Sequence, residues 1–359
     1  MKTHRNPHTI AISISHTSAK AELVKSLLIL SLISLIAPVF QGCSEHPQDC
    51  DFTEDKTTPS VKLAVHKIKE TQIESLDVLV YNDDLLQRID CYQEDEFRQG
   101  EPLVIGSRGG EKIVLICANM NMKKDSWREY SSFQKASSMK VELEMEDRDY
   151  PVMASYKHIT TGGEFDCELE RLTSQVEIRS ICCDFTGKPY SGEMITHAKA
   201  YLINVNATCC LIPQETASIE RLINHGGLME QDMASFNDKT LIYSDIEDIS
   251  TTPSTPSCRF LCYPSNSPEE SIGTPFTRLV IEGKIQGETW YWPININRDA
   301  DQRSTGTGTG IERNSRYVFD ITIRSKGTKD PNIPVTSEMT ELQFETKEWK
   351  EKEAYYVAF

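Results

Sequence analysis

Few residues in this sequence have the types and spacing that catalysis or metal binding requires. Gly306–Gly310 has the glycine pattern of a phosphate-binding loop but lacks the following Lys-Ser/Thr that would contact phosphate and magnesium. Cys258 and Cys262 have a metal-like spacing, yet no paired histidines accompany them, which argues against a structural zinc. No Gly-x-Ser-x-Gly elbow and no His-Glu-x-x-His motif occurs. The sequence therefore predicts no catalytic residues, no metal site and no cofactor, and the protein is not expected to be an enzyme.

A sugar-binding platform is the remaining chemical possibility, because Trp290, Tyr291 and Trp292 are consecutive aromatic residues. Neighbouring side chains of a strand point to opposite faces of a sheet. Tyr291 should therefore face away from both tryptophans, and one of the two faces should lie in the core.

A cysteine near the start of the chain has the context of a covalent modification. Ser26–Phe40 is apolar apart from its serines and follows Lys25. It is too short for a membrane span of ~20 residues but fits the ~7–15-residue core of a secretory signal. Gly42 and Cys43 then follow, as in a bacterial lipoprotein signal. The sequence predicts cleavage between Gly42 and Cys43 and acylation of Cys43, for example by palmitate, which would hold the protein on a membrane.

The alternative for this segment is a buried core helix that ends at a chance Gly-Cys. The position of the segment, the preceding lysine and the polar sequence beyond it favour the signal peptide.

The net charge of the chain indicates which macromolecules are unfavourable partners. The 359 residues include 38 basic and 54 acidic ones, a net charge of −16. Loss of residues 1–42 would remove four basic residues and one acidic residue and leave the chain more acidic still. Such a surface argues against nucleic acid as a partner. Of the eleven cysteines, Cys50 in the predicted tether is either a free thiol or a tie to the first domain. Those other than Cys43 and Cys50 are interpreted as buried apolar residues, since their pairing cannot be deduced from sequence.

Alternating apolar and polar residues begin at Ser60. Val61–Val65 alternates with lysine and histidine, as in a strand with one buried face. Lys112–Met120 is an almost unbroken apolar run, which predicts a strand buried on both faces. Many such short segments, separated by turn residues and with few helical patterns between them, predict an all-β fold.

Two further strands carry predictions about which side chains are buried. Arg171–Phe185 should be one long strand, with Val176, Ile178 and Cys182 on one face and Glu177, Arg179, Ile181 and Cys183 on the other. Arg316–Arg324 should send Tyr317, Phe319, Ile321 and Ile323 to a single core face.

A turn-rich break at Gly187–Gly192 divides the strand pattern into two halves. We therefore predict a signal peptide at 1–42, a flexible acidic tether at 43–59, an N-terminal β-sandwich at 60–186 and a C-terminal β-sandwich at 187–359.

One stretch of the second half resembles a known family. Ile311–Val335, IERNSRYVFDITIRSKGTKDPNIPV, combines an Arg-Asn pair, an aromatic strand, a glycine and an Asp-Pro turn, and Trp349 follows. This pattern resembles the fimbrilins, the structural subunits of lipoprotein-derived (type V) fimbriae of Gram-negative anaerobes. The supporting stretches, in the expected order, are Leu76–Asn82, Ile113–Asn119, Leu169–Ile178 and Trp290–Asn297.

The resemblance implies a fold and a mode of assembly. The fold would be two transthyretin-like β-sandwich domains in tandem. A protease would remove the lipid anchor together with the first strand, Val61–Val65, and a strand from a neighbouring subunit would fill the groove. The donor would be the Glu341–Phe359 tail, with Tyr355, Tyr356, Val357 and Phe359 as its assembly strand. The partners would be other fimbrial subunits, and the location would be the cell surface, on the outer membrane and in the fimbria.

The sequence departs from the family where that protease should act, usually at an arginine in the loop after the first strand. No arginine lies between Cys43 and Gln87, the first one is Arg88, and His66–Gln72 contains only Lys67 and Lys69. Either a lysine-directed protease acts, or the lipid stays and the protein is a fimbrial anchor or an accessory or tip subunit. The rival from another class is a monomeric surface lipoprotein that binds glycan or peptide.

Overall fold

The structure is a computed structural model. It describes residues 60–66, 73–95, 103–162, 164–214, 219–298, 310–335 and 339–348. These residues form mainly strands, as the alternating pattern predicts, and the fold is all-β. The strands are β1 (Ser60–His66), β2 (Leu76–Asn82), β3 (Ile89–Asp95), β4 (Leu103–Gly106), β5 (Glu111–Ala118), β6 (Lys140–Glu142), β7 (Met153–Thr160), β8 (Glu164–Glu168), β9 (Glu170–Arg171), β10 (Ser174–Cys183), β11 (Thr196–Ile203), β12 (Val205–Asn206), β13 (Thr208–Cys210), β14 (Leu222–Ile223), β15 (Tyr243–Asp245), β16 (Arg259–Cys262), β17 (Arg278–Ile285), β18 (Glu288–Asn295), β19 (Ser315–Ile323) and β20 (Thr340–Glu348).

Helices are short. They are α1 (Phe133–Ser137), α2 (Glu230–Met233) and 3-10 turns at Lys124–Glu129, Leu143–Met145 and Lys239–Leu241. Ser132 caps α1 by accepting a hydrogen bond from the Lys135 amide. No helix in these ranges has the length and apolarity needed to cross a bilayer.

Two sheets pack together in the N-terminal half. A five-stranded sheet has the order β3-β2-β5-β7-β9, and a three-stranded sheet has the order β4-β1-β8. β5 is buried from its second residue onward, which confirms the prediction of a strand covered on both faces. The apolar cluster that joins the two sheets contains Leu76, Val78, Val80, Cys91, Ile105, Val114, Ile116, Ala118, Met153, Cys167 and Leu169.

Two four-stranded sheets form the C-terminal half, with the orders β16-β10-β19-β20 and β15-β11-β17-β18. β10 runs parallel to β19, and the other pairings in these sheets are antiparallel. Tyr317, Phe319, Ile321 and Ile323 are all buried in one large cluster, as the alternation predicts. Two-stranded pairs, β12-β14 and β13-β6, complete the topology.

The strand β10 precedes the predicted domain boundary but belongs to a sheet of the second half. It pairs with β16 and β19, and the large buried cluster contains residues from both sides of the boundary, including Leu115 and Phe319. The structure therefore groups β10 with the later strands, and the division of the chain into two domains stays a prediction.

The predicted faces of β10 are wrong beyond Ile178. The register with β19 shifts between Ile178 and Ser180, which is a β-bulge. A bulge adds one residue to one strand and switches the faces of all residues after it. Ile181 and Cys183 therefore join Val176 and Ile178 on the buried face, and Cys182 is half-buried on the other.

Candidate assembly site

The first strand, β1, is the central strand of the three-stranded sheet. It pairs antiparallel with β4, from Ser60↔Gly106 to Leu63↔Leu103. It pairs parallel with β8, from Lys62↔Glu164 to His66↔Glu168. Since adjacent strands lie ~4.8 Å apart, removal of β1 would leave a groove ~10 Å wide with an unpaired strand edge on each side. We call this the β4–β8 groove.

The floor of the β4–β8 groove is apolar. Val78 and Val80 of β2 and Val114 and Ile116 of β5 are completely buried in the cluster between the two sheets. The flanking strands contribute Ile105 and Cys167 to the same cluster. A strand seated between β4 and β8 therefore meets a backbone hydrogen-bonding edge on both sides and apolar side chains beneath it.

The strand β20 is the outermost strand of its sheet and pairs with β19 over its whole length, from Ser315↔Glu348 to Ile323↔Thr340. Residues 341–348 therefore belong to the protein's own sheet, which corrects the part of the predicted donor tail that precedes Trp349. The physical reason is that the backbone N–H and C=O groups on one edge of this segment already form hydrogen bonds with β19, in an antiparallel ladder of nine residue pairs.

Ion pairs bridge the three strands β10, β19 and β20. The Arg179 guanidinium contacts the Asp320 carboxylate and lies 3.3 Å from Glu345 Oε2. Partial burial opposes ionisation of Asp320, but hydrogen bonds from Arg179 and Ser180 outweigh it and lower the pKa of this carboxyl. Arg316 of β19 binds Glu177 of β10 in the same way. The Arg179–Glu345 pair thus links β20 to β10, and the other two pairs join β10 to β19.

Most of the predicted site residues lie outside the described residues. These are Gly42, Cys43, Lys67, Lys69, Tyr355, Tyr356, Val357 and Phe359. Their roles stay predictions.

Arg88 is the one predicted processing residue that the structure places. It is exposed, between β2 and β3. Its carbonyl accepts a hydrogen bond from the Asn82 amide at 2.9 Å, and the next amide, Ile89, donates to Ser131 at 3.1 Å. Both sides of the Arg88–Ile89 peptide bond are therefore tied to neighbouring segments, and proteases prefer free loops. Cleavage there would also separate β2 from the sheet in which it is a central strand.

The aromatic residues of β18 do not form an open platform. Trp292 is buried and donates to the Ser325 carbonyl at 3.0 Å. The Lys329 ammonium lies 3.5 Å from the ring centroid of Trp290. Tyr291 packs in a different cluster with Tyr201, so it faces away from both tryptophans, as predicted.

The cysteine and glycine motifs are structural where they can be seen. Cys258 and Cys262 are buried free thiols, and burial raises the pKa of both. In the part of the chain that the structure describes, no three His, Cys, Asp or Glu side chains are placed to hold a metal ion. Gly310 has φ +87°, and a Cβ there would collide with Arg298 and the Ser265 carbonyl.

A buried carboxyl, which the sequence reasoning missed, connects the two halves of the molecule. Glu146, at the end of a 3-10 turn, accepts hydrogen bonds from the Val152 amide at 3.0 Å and from the Tyr263 hydroxyl at 2.8 Å. Burial raises the pKa of Glu146 to about 7, although these hydrogen bonds act in the opposite direction.

The comparison with known proteins gives a result for structures only. No protein-family model and no curated protein matches this sequence. A fimbrilin from Porphyromonas gingivalis superposes with a TM-score of 0.59 and 14% identity, over 82% of this chain and 97% of its own. The chain has the fimbrilin fold.

Two further solved structures share the fimbrilin fold. A candidate cell adhesion protein from Bacteroides eggerthii has a TM-score of 0.61 and 13% identity, over 84% of this chain and 97% of its own. Another, from Parabacteroides distasonis, has a TM-score of 0.59 and 15% identity, over 83% and 98% of the two chains. The family resemblance seen in the sequence is thus confirmed at the level of the fold.

Within the fimbrilin fold, the sequence reasoning found one wall of the β4–β8 groove and missed the other. The residue pattern predicts a short strand at Asp166–Glu170, and β8 lies at Glu164–Glu168. β4 was not expected at all. The apolar run Leu103-Val104-Ile105 just before Gly106 is the signal that could have revealed it.

Proposed function

We propose that the protein is a structural subunit of a cell-surface fimbria that supports adhesion, is exported as a lipoprotein through Cys43, and assembles by β-strand exchange. The observation that carries this proposal is the position of β1 between β4 and β8, above an apolar floor. A strand from another subunit could take over both backbone ladders of β1 and place alternate side chains on that floor.

The donor strand in this proposal is the C-terminal segment that contains Tyr355, Tyr356, Val357 and Phe359. In an extended strand, Tyr355, Val357 and Phe359 would point to one face, which could lie on the apolar floor, and Tyr356 would point to the other. β20 precedes them and is already paired in its own sheet, so the donor is confined to the residues after it. The fimbrial partners are other subunits, and the outer membrane is contacted through the lipid on Cys43.

A second candidate function is that of an anchor, accessory or tip subunit that keeps its lipid. The geometry of Arg88 favours it, because this first arginine after β1 lies in a hydrogen-bonded segment and not in a free loop. If processing occurs, Lys67 and Lys69 are the candidate positions, since cleavage there releases β1 without separating β2.

The experiment that distinguishes these functions compares three chains produced in the same bacterium: the wild type, the Lys67→Ala/Lys69→Ala double variant, and Arg88→Ala as the matched control. Mass spectrometry of isolated surface filaments and of the outer membrane gives the N-terminus of each chain. For a polymerising subunit, the wild type and Arg88→Ala enter filaments without residues 60–66, and the double variant stays unprocessed and unpolymerised.

Other outcomes of this experiment point elsewhere. If all three chains keep Cys43 and are found at one filament end or at its base, the protein is an anchor or accessory subunit. A wild-type chain that stays monomeric and never co-purifies with filaments would contradict both fimbrial functions. The remaining candidate would then be a monomeric surface lipoprotein that binds glycan or peptide.

A further inference from the structure

Three polar side chains meet inside the five-stranded sheet at the ends of β2 and β5. Asn82, the last residue of β2, is the direct cross-strand partner of Lys112 of β5. The Lys112 Nζ lies 2.6 Å from Asn82 Oδ1 and 3.0 Å from Asp90 Oδ2 of β3. The side chains of Lys112 and Asp90 are 2% and 3% exposed. An amine and a carboxylate are thus held together away from water, beside a half-buried amide.

The surroundings orient the amide toward the amine. Asn82 Nδ2 donates to the Arg88 carbonyl at 3.4 Å, so Oδ1 is the atom turned to Lys112. Because a C=O bond is ~1.23 Å long, Lys112 Nζ is at most ~3.8 Å from the Asn82 Cγ carbon. That is close to the separation of ~3–3.5 Å from which a nucleophile attacks.

Asp90 is held in place by groups from the β4–β5 connection. Its Oδ2 accepts a hydrogen bond from the Arg108 amide at 2.9 Å. The Arg108 side chain lies 3.7 Å from Oδ1 but is 81% exposed, so solvent screens its charge. One carboxylate oxygen therefore faces Lys112 at a fixed position, as a proton carrier requires.

We propose that these three residues form an intramolecular amide bond between Lys112 Nζ and Asn82 Cγ, with Asp90 as the proton carrier. Asp90 takes a proton from the Lys112 ammonium, and the freed lone pair of Nζ attacks Cγ. The Cγ–Nδ2 bond then breaks with its electron pair going to Nδ2, which receives protons through Asp90. The products are a secondary amide and one ammonium ion, and no oxidant or reductant is needed.

The burial of Lys112 and Asp90 and the register of the two strands favour this reaction. Exclusion of water also protects the new amide from hydrolysis. The β2–β5 register positions the two reacting residues before the bond forms, which removes most of the entropic barrier.

The bond would link two neighbouring strands covalently and close a loop between residues 82 and 112 that contains β3 and β4. A closed loop restricts the unfolded chain, so the linked protein should resist unfolding more than its unlinked variants. This inference concerns the five-stranded sheet and holds whether or not the protein is a fimbrial subunit.

The test is peptide mapping by mass spectrometry on the purified full chain. The expected result is a branched peptide that joins the segments around Asn82 and Lys112 and is lighter than the sum of the two by one ammonia. Lys112→Arg keeps the positive charge but cannot be acylated, because arginine stays protonated in proteins. It and Asp90→Asn should give only the two linear peptides.

Lys199→Arg is the matched control, since Lys199 pairs with Glu282 at 3.7 Å in another sheet. It should keep the branched peptide. Wild-type protein that yields only linear peptides after prolonged incubation would overturn the proposal. A branched peptide that persists in Lys112→Arg would do the same, and one that forms normally in Asp90→Asn would refute the role of Asp90.

Discussion

Replacing Glu146 by glutamine should make the free energy of unfolding less dependent on pH. Glu146 is 6% exposed and joins Val152 in the N-terminal half to Tyr263 in the C-terminal half. Burial raises the pKa of this carboxyl from the ordinary 4.5 to about 7 in the folded protein. At intermediate pH the folded chain therefore keeps a proton that the unfolded chain has released.

The sign of the effect follows from that difference in protons bound. Stability is highest at or below the unfolded pKa, falls as the pH rises toward 7, and stays at the lower level above it. At ~1.4 kcal/mol for each pH unit between the two pKa values, the loss is of the order of 3 kcal/mol. Glutamine is neutral throughout, so the variant does not undergo this loss.

Urea unfolding of the wild type and Glu146→Gln between about pH 4 and about pH 8 measures the effect. Other titrating groups are common to both chains and cancel when one stability is subtracted from the other. The extra amide N–H₂ of glutamine adds a constant of ~1–3 kcal/mol that does not vary with pH. The stability of the variant relative to the wild type should therefore rise by ~3 kcal/mol across this range.

Glu142→Gln is the matched control, because Glu142 is an exposed carboxylate on the neighbouring β6. It removes one surface carboxylate from the same region without touching the buried one. A stability difference for Glu146→Gln that does not vary with pH would show that the buried carboxyl does not hold its proton, and the reasoning from burial would be refuted.

Three further predictions test the fold and the proposed assembly. Phe319→Ala should lower the free energy of unfolding by ~3–5 kcal/mol, because Phe319 is fully buried. Thr322→Ala, on the opposite, half-buried face, should lower it by ~1 kcal/mol or less. Equal losses in urea unfolding would contradict the assignment of faces. Cys43→Ser should release the protein from membranes and block normal signal removal, and an acylated variant that still fractionates with the outer membrane would rule out this anchor. Deletion of residues 353–359 should leave the melting temperature unchanged and abolish incorporation into filaments. Deletion from Thr340 onward should also lower the melting temperature, because it removes β20. A chain that lacks residues 353–359 and still polymerises normally would exclude the tail as donor.

Local periodicity was sufficient to predict single strands. The alternation in β19 gave its buried face, and the unbroken apolar run in β5 gave a strand covered on both sides. These predictions succeed because the direction of a side chain depends only on its position in the strand. The bulge at Arg179 breaks that dependence, and no glycine or proline marks it in the sequence.

Pairing and electrostatics could not be predicted from sequence in the same way. Glu146 and Tyr263 are separated by 117 residues, and β1 lies between two strands that come from distant parts of the chain. Such contacts depend on the folded topology, and a single sequence contains no signal of which distant segments meet. The family resemblance implied a role for β1, which stays a prediction, and the structure gave its neighbours β4 and β8.

Strand exchange, as proposed, requires that the five-stranded sheet survive while β1 is absent. Loss of β1 would uncover one face of that sheet, the face with Val78 and Val114, which are completely buried now. The opposite face, with Leu79 and Leu115, belongs to the large cluster of the rest of the molecule and stays covered. The sheet would therefore stay packed against the cluster on one face while the other face exposes apolar surface to water. That exposure costs ~25 cal/mol of free energy for each Å². That surface, together with two unpaired strand edges, favours uptake of a new strand over unfolding. A covalent link between β2 and β5, the strands that form the uncovered floor, would hold the sheet together at that stage.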